Sequence, residues 1–414
     1  MAPVGSRESL QAAIQAGADS IYFGVEQLNM RSHSANHFTI DDLREIAATC
    51  AEHGMKSYLT VNTIIYDEDV ELMHHIIDAA YEAKISAVIA SDVAVMTYCR
   101  KKGVEVHLST QLNISNAEAL EFYAQFADVV GLARELNMDQ VAYIHSQISE
   151  RNIVGPNGDP VRIEMFCHGA LCMAVSGKCY MSLENTGRSA NRGQCMQICR
   201  RSYTVTDNET GHQLEIDNKY IMSPKDLCTI EFMDKIIDAG VKVFKIEGRA
   251  RSAEYVKKTA ECYRRAADAV CEGRYTPELA ASLKEELSEV FNRGFWDGYY
   301  QGAKLGEWSD VYGSHATRKK IYCGKITNWF DRISVAEVLV ESEALRKGDD
   351  ILIIGETTGV IEQNVSEIRV YLKPTEEAGK GTLCSIPVIF PDDIRTPGGK
   401  KIRRGDKVYI WREV

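Results

Sequence analysis

The 414-residue sequence has no apolar run of about eighteen residues, so we expect no membrane-spanning helix. Its start, MAPVGSRESLQ, lacks the basic segment and apolar core that are typical of a signal peptide. We therefore expect a cytoplasmic protein. In that compartment most of the twelve cysteines should be reduced thiols or metal ligands rather than disulfides.

An excess of positive charge is also missing. The net charge of −11 argues against a protein that binds nucleic acid through its overall field. A local groove of Lys and Arg remains compatible with this charge, because phosphate binding depends on clusters rather than on the sum. The hydrophobic content of 45% and the charged content of 26% are those of a soluble globular enzyme.

From the start to about residue 300, short apolar runs alternate with amphipathic helical stretches. This alternation predicts parallel strands covered by helices. Seven runs, with APVG at the start as an eighth, predict an α/β fold with a (β/α)8 TIM-like barrel. A doubly wound sheet is the rival, but no Gly-rich phosphate fingerprint follows the first run. Residues 1–5 resemble the end of a strand, so we expect the natural chain to begin further upstream. The seven runs are SIYFGV (20–25), SYLTVNTI (57–64), AVIAS (87–91), VHLSTQ (106–111), VVGLAREL (129–136), RIEMFCHG (162–169) and VFKIEGR (243–249).

The pattern changes at about residue 318 to short strands with alternating side chains, which predicts an all-β module. KGDDILIIG and RGDKVYIW share one form and indicate a small closed β-barrel. We predict a TIM-like barrel over 1–302 with a Cys-rich insertion at about 172–218, a polar linker over 303–317 and the small β-barrel over 318–414. Helices are expected over 253–290, with Cys262 and Cys271 at buried apolar positions.

Five of the cysteines lie within one glycine-rich stretch, with the spacing C-x4-C-x6-C-x15-C-x3-C. Structural zinc sites favour close cysteine pairs, and only the last two fit that rule. An iron–sulfur cluster accepts irregular spacing when four thiolates converge. We favour a cluster on the last four cysteines, with zinc and ordinary core cysteines as alternatives. The first cysteine would then be a strand residue, and Cys228 is the best substitute ligand. The five are Cys167, Cys172, Cys179, Cys195 and Cys199.

His168 directly follows the predicted strand residues EMFC. It is either a histidine satisfied in the core or an acid–base group that faces the site. A Cys167–His168 protease dyad is disfavoured, because neighbours in a strand point to opposite faces. The sequence also contains no HExxH zinc helix and no GxSxG elbow.

Other polar side chains occur where predicted strands end, which is where barrel enzymes place their chemistry. Lys245, Glu247 and Arg249 alternate in FKIEGR, so we predict that they share one face of a strand. They would form either an internal ion-pair ladder or a grip on a carboxylate or phosphate. The same two interpretations apply to LAREL. We assign catalytic roles to His168, Glu247 and Glu135, and substrate binding to Arg134, Lys245, Arg249, Asn62 and Gln111.

The insertion also carries basic residues beside Tyr180 and Tyr203. They form either a solvated loop or a local phosphate-binding patch with stacking partners suited to single-stranded RNA. The predicted RNA-binding residues are Lys178, Arg188, Arg192 and Arg200.

The stretch EMFCHGALC, followed by Gly177, Cys179, Met181 and Ser182, resembles the signature of the collagenase-like peptidase family of unknown catalytic type. APVGS…GADSIYFG, LAREL, NRGQCMQICR, SPKDLC and KIEGR resemble further motifs of that family. The terminal β-module is similar to the accessory domain of its longer members. The resemblance covers almost the whole chain.

The family carries two descriptions, one as a peptidase, in particular a collagenase, and the other as a hydroxylase of RNA or quinone with an iron–sulfur cluster. For its tRNA members the resemblance implies prephenate as the source of the hydroxyl and 5-hydroxyuridine at the wobble position as the product. Carried over, the cluster ligands are Cys172, Cys179, Cys195 and Cys199. Arg134, Lys245 and Arg249 are our own candidates for binding a dicarboxylate such as prephenate.

We therefore predict an RNA hydroxylase that acts on tRNA or rRNA with a [4Fe-4S] cluster and a small dicarboxylate, and that has no membrane partner. Thiols that share a metal lose their nucleophilicity, which argues against the peptidase description. A collagenase-type peptidase acting on collagen or peptides is the alternative. A non-catalytic RNA-binding scaffold is the third possibility.

Overall fold

The computed structural model describes residues 1–25, 27–30, 38–214, 220, 222–311, 313–390 and 402–414. Two large sheets, one mainly parallel and one antiparallel, account for most of the strands. Within the described residues, no helix combines the length and the apolar character needed to cross a membrane.

The first part of the chain builds parallel strands that alternate with helices. Each strand is short and buried, whereas each helix buries only one face. Side-chain caps begin several helices, as where Ser6, Asp92 and Asn116 each accept a backbone N–H. The elements are β1 (Ala2–Pro3), α1 (Arg7–Gln15), β2 (Ser20–Phe23), α2 (Leu43–Glu52), β3 (Lys56–Val61), α3 (Val70–Glu82), β4 (Ala87–Ala90), α4 (Val93–Lys102), β5 (Val106–Leu108), α5 (Ala117–Ala124), β6 (Val129–Gly131), α6 (Met138–Glu150) and β7 (Arg162–Ala170).

The next part departs from simple alternation. After β7 the chain makes a long irregular excursion, and it returns as a strand that runs antiparallel to β7. That strand and a two-residue strand further on were not predicted. The elements are α7 (Met181–Thr186), β8 (Val205–Thr206), β9 (Gln213–Leu214), β10 (Asp226–Cys228), α8 (Met233–Asp238), β11 (Val241–Ile246), α9 (Ala253–Cys271), α10 (Pro277–Ser288) and β12 (Phe295–Trp296). Residues 215–218 of the predicted insertion lie outside the described part of the chain.

The first sheet has ten strands in the order β1-β2-β3-β4-β5-β6-β7-β10-β12, and β11 pairs with β7. The predicted α/β class is therefore confirmed as a parallel sheet with covering helices and a separate antiparallel sheet. The strand pairs of the described residues do not close this sheet into a barrel. Two backbone hydrogen bonds link β11 to the start of the chain, from Met1 N to Phe244 O (2.8 Å) and from Ile246 N to Met1 O (3.1 Å).

The predicted strand through residue 249 is wrong at its end, because β11 stops at Ile246. Glu247 N still donates to His168 O (2.8 Å), and Arg251 N then donates to Gly248 O (2.8 Å), which turns the chain toward α9. A Cβ at Gly248 would lie 2.6 Å from the Tyr255 ring, so this turn packs directly on the helix. Of the three alternating residues in FKIEGR, only Lys245 lies in a strand.

Cys262 is buried in α9 as predicted, but Cys271 is exposed. Cys271 is the last residue of the helix and lies off the buried stripe that runs from Tyr255 to Ala269. The prediction that it occupies a core position is therefore wrong.

The antiparallel strands lie in the C-terminal part of the chain, and β14 shows the predicted alternation of buried and partly exposed side chains. Eight of them form one sheet in the order β17-β16-β22-β13-β14-β21-β18-β19, and β15 pairs with β20. These pairs do not close a barrel among the described residues. The strands are β13 (Arg318–Phe330), β14 (Val335–Val340), β15 (Leu345–Arg346), β16 (Asp350–Gly355), β17 (Gly359–Asn364), β18 (Ile368–Val370), β19 (Lys373–Thr375), β20 (Glu377–Ala378), β21 (Leu383–Pro387) and β22 (Lys407–Glu413).

The antiparallel sheet packs directly against α1 and α9. The side-chain amide of Gln15 makes two hydrogen bonds to the backbone at the start of β17. Its Nε2 donates to Thr358 O (2.8 Å), and its Oε1 accepts from Val360 N (2.9 Å). Leu352, Val360 and Trp411 belong to the same buried apolar cluster as the helices and strands of the first sheet. The domain boundaries stay a prediction. Most buried side chains of the antiparallel sheet form a separate cluster, so the two sheets meet through a few shared core residues.

Gly240, between α8 and β11, has a φ of +91°. A Cβ there would lie 1.5 Å from His145 Cδ2. Replacing Gly240 by alanine should therefore add a steric clash to the cost of a left-handed backbone, which is about 1–2 kcal/mol. We expect Gly240→Ala to lower the free energy of unfolding in urea by at least about 2 kcal/mol.

Gly17 supplies the matched control. It also has a positive φ, but a Cβ there meets no atom within 4 Å. Gly17→Ala should cost only the backbone term, and equal losses in the two variants would contradict the proposed clash.

Candidate functional site

The cysteine loop, residues 171–204, follows the carboxyl end of β7. Arg200 ties its far end back to its start, because Nη2 donates to Leu171 O (2.6 Å) and Nη1 donates to Pro224 O (2.5 Å). Arg192 ties its middle to the 3₁₀ turn before α3 through an ion pair with Asp69 and a hydrogen bond to Ile64 O (2.7 Å). The bond from Arg192 is the main cause that lowers the pKa of Asp69. The loop is thus anchored to the mouth of the parallel sheet.

The loop brings its four cysteines into one neighbourhood. Cys172 and Cys195 are exposed, and Cys179 and Cys199 are partly exposed. Burial is the main cause that raises the pKa of the Cys199 thiol, Arg200 acts in the opposite sense, and the three other thiols raise it further. Each of those thiols therefore lies close enough to Cys199 to interact with it electrostatically.

The four loop cysteines are the residues that could hold an iron–sulfur cluster. All twelve cysteines are free, and within the described residues no three His, Cys, Asp or Glu side chains meet tightly enough to hold one metal ion. A [4Fe-4S] cluster is held by four thiolates, each on a different iron, so its ligands surround a common volume and do not meet at one point. Two exposed and two partly exposed thiols on one anchored loop are compatible with that arrangement.

The two other cysteines considered as ligands are core residues. Cys167 donates its thiol proton to Lys245 O (3.4 Å), and burial raises its pKa to about 12. Cys228 is also buried, which raises its pKa to about 11, and it accepts a hydrogen bond from Tyr263 (3.8 Å). Their surroundings favour the four loop cysteines as the ligand set.

His168 is 1% exposed and lies among the rings of Tyr255, Tyr263 and Phe295. Its Nδ1 is 3.4 Å from Tyr263 Oη. Desolvation lowers its pKa to about 3, so the imidazole is neutral at physiological pH. This environment matches the structural interpretation of His168, and its predicted catalytic role stays a prediction.

Lys245 forms a buried ion pair with Glu164, with Nζ 2.8 Å from Oε1, and lies over the ring of Tyr22. Arg249 donates to Asn29 Oδ1 (3.1 Å) and Thr60 Oγ1 (2.7 Å). Glu247 is partly exposed, and its carboxylate accepts from Tyr22 Oη at 3.3 Å. Of the two interpretations, the internal network describes Lys245 and Arg249, and their predicted contact with substrate stays a prediction.

Arg134 and Glu135 lie beside the cysteine loop. They line a cleft that is open to solvent and that Cys172 also lines. Arg134 donates to Ala170 O (3.2 Å), and its guanidinium lies 4.2 Å from the centre of the Phe166 ring. Trp296, Tyr299 and Trp308 also line the cleft.

Some of the remaining predicted residues are exposed to solvent, and others are hydrogen-bonded within the protein. Lys178 is exposed, and Arg188 is exposed with a contact to Met196 Sδ (3.7 Å), whereas Arg192 and Arg200 hold the loop in place. Asn62 Oδ1 accepts from Met30 N (3.3 Å). The Gln111 side chain accepts from Ser109 Oγ (3.2 Å) and lies next to Gly177 of the loop.

The structure adds a pair of arginines that the sequence reasoning missed. Arg251 and Arg293 both lie over the ring of Phe291, at 3.5 Å and 5.0 Å from its centre. Arg293 pairs with Asp226 (3.4 Å), while the Arg251 guanidinium makes no hydrogen bond or ion pair within the described ranges. Burial is the main cause that lowers the pKa of Arg251. Strand alternation could not reveal this pair, because its members come from two different loops.

Comparison with known proteins gives a consistent family match. The model of peptidase family U32 matches residues 5–310. A protein called collagenase from Porphyromonas gingivalis is 62% identical over 99% of this chain and 96% of its own length. The tRNA hydroxylation protein P1 of Bacillus subtilis is 32% identical over 86% of this chain and 83% of its own. The 23S rRNA 5-hydroxycytidine C2501 synthase of Escherichia coli is 35% identical over 74% of this chain and 46% of its own.

The buried state of His168 has a measurable consequence for stability. Its pKa of about 3 in the folded state lies below the ordinary value of 6.5, so the unfolded chain binds more protons between these values. Stability should therefore fall as the pH drops below 6.5. Between pH 7 and pH 5 this group alone should remove about 2 kcal/mol.

His168→Gln should lack that part of the pH dependence, measured by urea unfolding at pH 5, 6 and 7. His212→Gln, at an exposed position, should keep the wild-type slope. If His168→Gln and the wild type show the same slope, His168 titrates normally and is open to an acid–base role.

Proposed function

The chain belongs to peptidase family U32, within which we propose that it acts as an RNA hydroxylase that uses an iron–sulfur cluster. The more specific form of the proposal is conversion of a tRNA uridine to 5-hydroxyuridine at the wobble position, with prephenate as co-substrate. Relatives are named for two activities, collagenase and RNA hydroxylation. Each of these activities is enzymatic, which supports an enzymatic role for this chain.

The observation that carries the proposal is the neighbourhood of Cys172, Cys179, Cys195 and Cys199 at the mouth of the sheet. A cluster held by these residues would supply one-electron redox chemistry beside the cleft that Cys172 lines. The exposed Lys178 and Arg188 on the same loop are suited to RNA phosphates.

The reaction sets a requirement on the co-substrate. Replacing a C–H bond of the base by C–OH removes two electrons from the base. The compound that supplies the oxygen must accept these two electrons, and a small dicarboxylate such as prephenate is our candidate. The Arg251–Arg293 pair supplies the guanidiniums best placed to bind its carboxylates, because it lies near the carboxyl ends of the parallel strands.

The same contacts argue against a Cys–His peptidase. The Cys167 thiol is buried and donates to a backbone carbonyl, and His168 is neutral within an aromatic pocket. A thiol with a raised pKa is a poor nucleophile at neutral pH. The loop cysteines would lose their nucleophilicity as metal ligands. Peptidase activity remains the alternative because the relative with 62% identity is called a collagenase.

We also infer that the first sheet closes as a (β/α)8 barrel. The hydrogen bonds between Met1 and the segment from Phe244 to Ile246 support closure between β1 and β11. The cleft and the cysteine loop would then lie at the carboxyl-end face, where barrel enzymes place their active sites.

Protein purified without air should contain about four irons and four sulfides per chain. Replacing any one of the four loop cysteines by serine should lower the iron content and abolish RNA hydroxylation, because each supplies one of four thiolates. Iron analysis, the visible spectrum and mass spectrometry of digested RNA measure these effects.

Cys271→Ser is the matched control, since Cys271 is exposed like Cys172 and Cys195 but lies at the end of α9. It should keep iron and activity. Full iron content and full activity in all four loop variants would contradict the proposal. Stoichiometric zinc without iron would indicate a structural site.

The peptidase alternative would be favoured by hydrolysis of collagen or peptides that persists in the loop variants. That hydrolysis should also be lost on one other substitution, and His168→Ala would be tested first. RNA binding that weakens with salt but does not change in the cysteine variants would favour a scaffold.

A further inference from the structure

We propose that the cleft beside Cys172 receives a single pyrimidine base extruded from the RNA strand, with Glu135 and Arg134 binding its polar edge. This inference rests on the proposed function and assigns the base pocket to named residues. Trp308, which is partly exposed, would stack on the base, and Trp296 and Tyr299 would border it.

The wall of the cleft is aromatic and is built rigidly. Trp308 is held by a bridge to Pro224, and its neighbours bind the same strand end through Ser309 N to Ser223 O (2.8 Å) and Lys225 N to Glu307 O (3.0 Å). Trp296 packs edge-to-face on Tyr299, with ring centres 5.2 Å apart.

Glycine at position 306 leaves the space between the two tryptophans open. A Cβ at Gly306 would lie 3.5 Å from the Trp308 ring and 3.7 Å from the Trp296 ring. Aromatic side chains that border an open cleft are the usual stacking partners of unpaired bases.

The polar side of the cleft offers a donor next to an acceptor. Arg134 lines the cleft and donates from Nη1 to Ala170 O (3.2 Å), whereas its Nη2 makes no hydrogen bond among the described residues. A ligand oxygen that accepts from Nη2 would satisfy this donor. Glu135 is exposed in the same cleft and supplies acceptors only.

This pair suits a nucleobase better than a dicarboxylate. Glu135 would repel a dianion, whereas the N3–H of uracil can donate to its carboxylate while a neighbouring carbonyl accepts from Arg134. An enzyme that modifies a base must take it out of the stack, and an aromatic pocket compensates for the lost stacking. Because Cys172 lines the cleft, the bound base would lie beside the cysteine loop.

The first test uses a short single-stranded RNA with one 5-iodouridine, irradiated on the intact protein. We expect cross-links on Trp296, Tyr299 or Trp308, found by mass spectrometry in the tryptic peptides 294–304 and 305–318, and suppressed by excess uridine RNA. Cross-links on Tyr180 or Tyr66, whose rings are exposed, with none in the cleft would overturn the pocket.

The second test measures RNA affinity by fluorescence anisotropy. Trp308→Leu should weaken binding roughly tenfold, whereas Trp308→Phe, which keeps a ring, should retain most of it. Phe122→Leu is the control, because Phe122 is exposed on α5 and is not among the residues that line the cleft. Equal affinity of Trp308→Leu and Phe122→Leu would overturn the stacking role.

Glu135→Gln tests the contact between Glu135 and the polar edge of the base. The measurement is the preference for uridine over cytidine, which a purely structural role of Glu135 would not change. The wild type should prefer a uridine RNA over the matching cytidine RNA, and the variant should lose most of this preference without losing iron. A wild type without preference, or an unchanged preference in the variant, would overturn the assignment of Glu135.

These outcomes separate the pocket from the proposed function. Hydroxylation by the wild type together with cross-links elsewhere would reject the pocket and leave the function intact. Absence of RNA binding and of hydroxylation in an iron-loaded wild type would reject both.

Discussion

Backbone hydrogen bonding along β7 is the constraint on which the candidate site depends. This nine-residue strand pairs with β6 and β11 in parallel and with β10 antiparallel near its end. Its last carbonyl accepts from Arg134, and the next one accepts from Arg200. The cysteine loop begins at that point, so its position follows from a strand that is bonded along both of its edges. A shift of β7 would move the thiols, the cleft and the arginines together.

The basic residues near the site have two separate uses. Arg192 and Arg200 bind carboxylate and carbonyl groups within the protein, which leaves Lys178, Arg188 and Arg201 as the exposed basic residues of the loop, beside the exposed Glu184. A chain with a net charge of −11 therefore presents only a small positive surface beside the thiols. Recognition of RNA at such a site would depend on stacking and base contacts more than on long-range attraction.

Much of the fold follows from the sequence, because buried parallel strands leave a clear apolar pattern. The runs at residues 57–64 and 162–169 each overlap an observed strand to within one residue at one end, and the spacing of four cysteines indicated the loop. The prediction of a strand through Arg249 was wrong, because alternating polar residues do not show where a strand ends and a turn begins. The cleft was missed because Trp296, Tyr299 and Trp308 lie at the end of one predicted domain and in a predicted linker. Their convergence depends on tertiary bridges such as that between Pro224 and Trp308.

The contact between the two sheets links the stability of the C-terminal module to that of the rest of the protein. Gln15 binds β17, and Leu352, Val360 and Trp411 complete the apolar cluster of the first sheet. The C-terminal module thus covers surface that the rest of the protein would otherwise expose to water. Melting of either part would uncover apolar area on the other, which couples the two thermodynamically. The protein should therefore behave as one cooperative unit, and removal of the module would leave an enzyme core prone to aggregation.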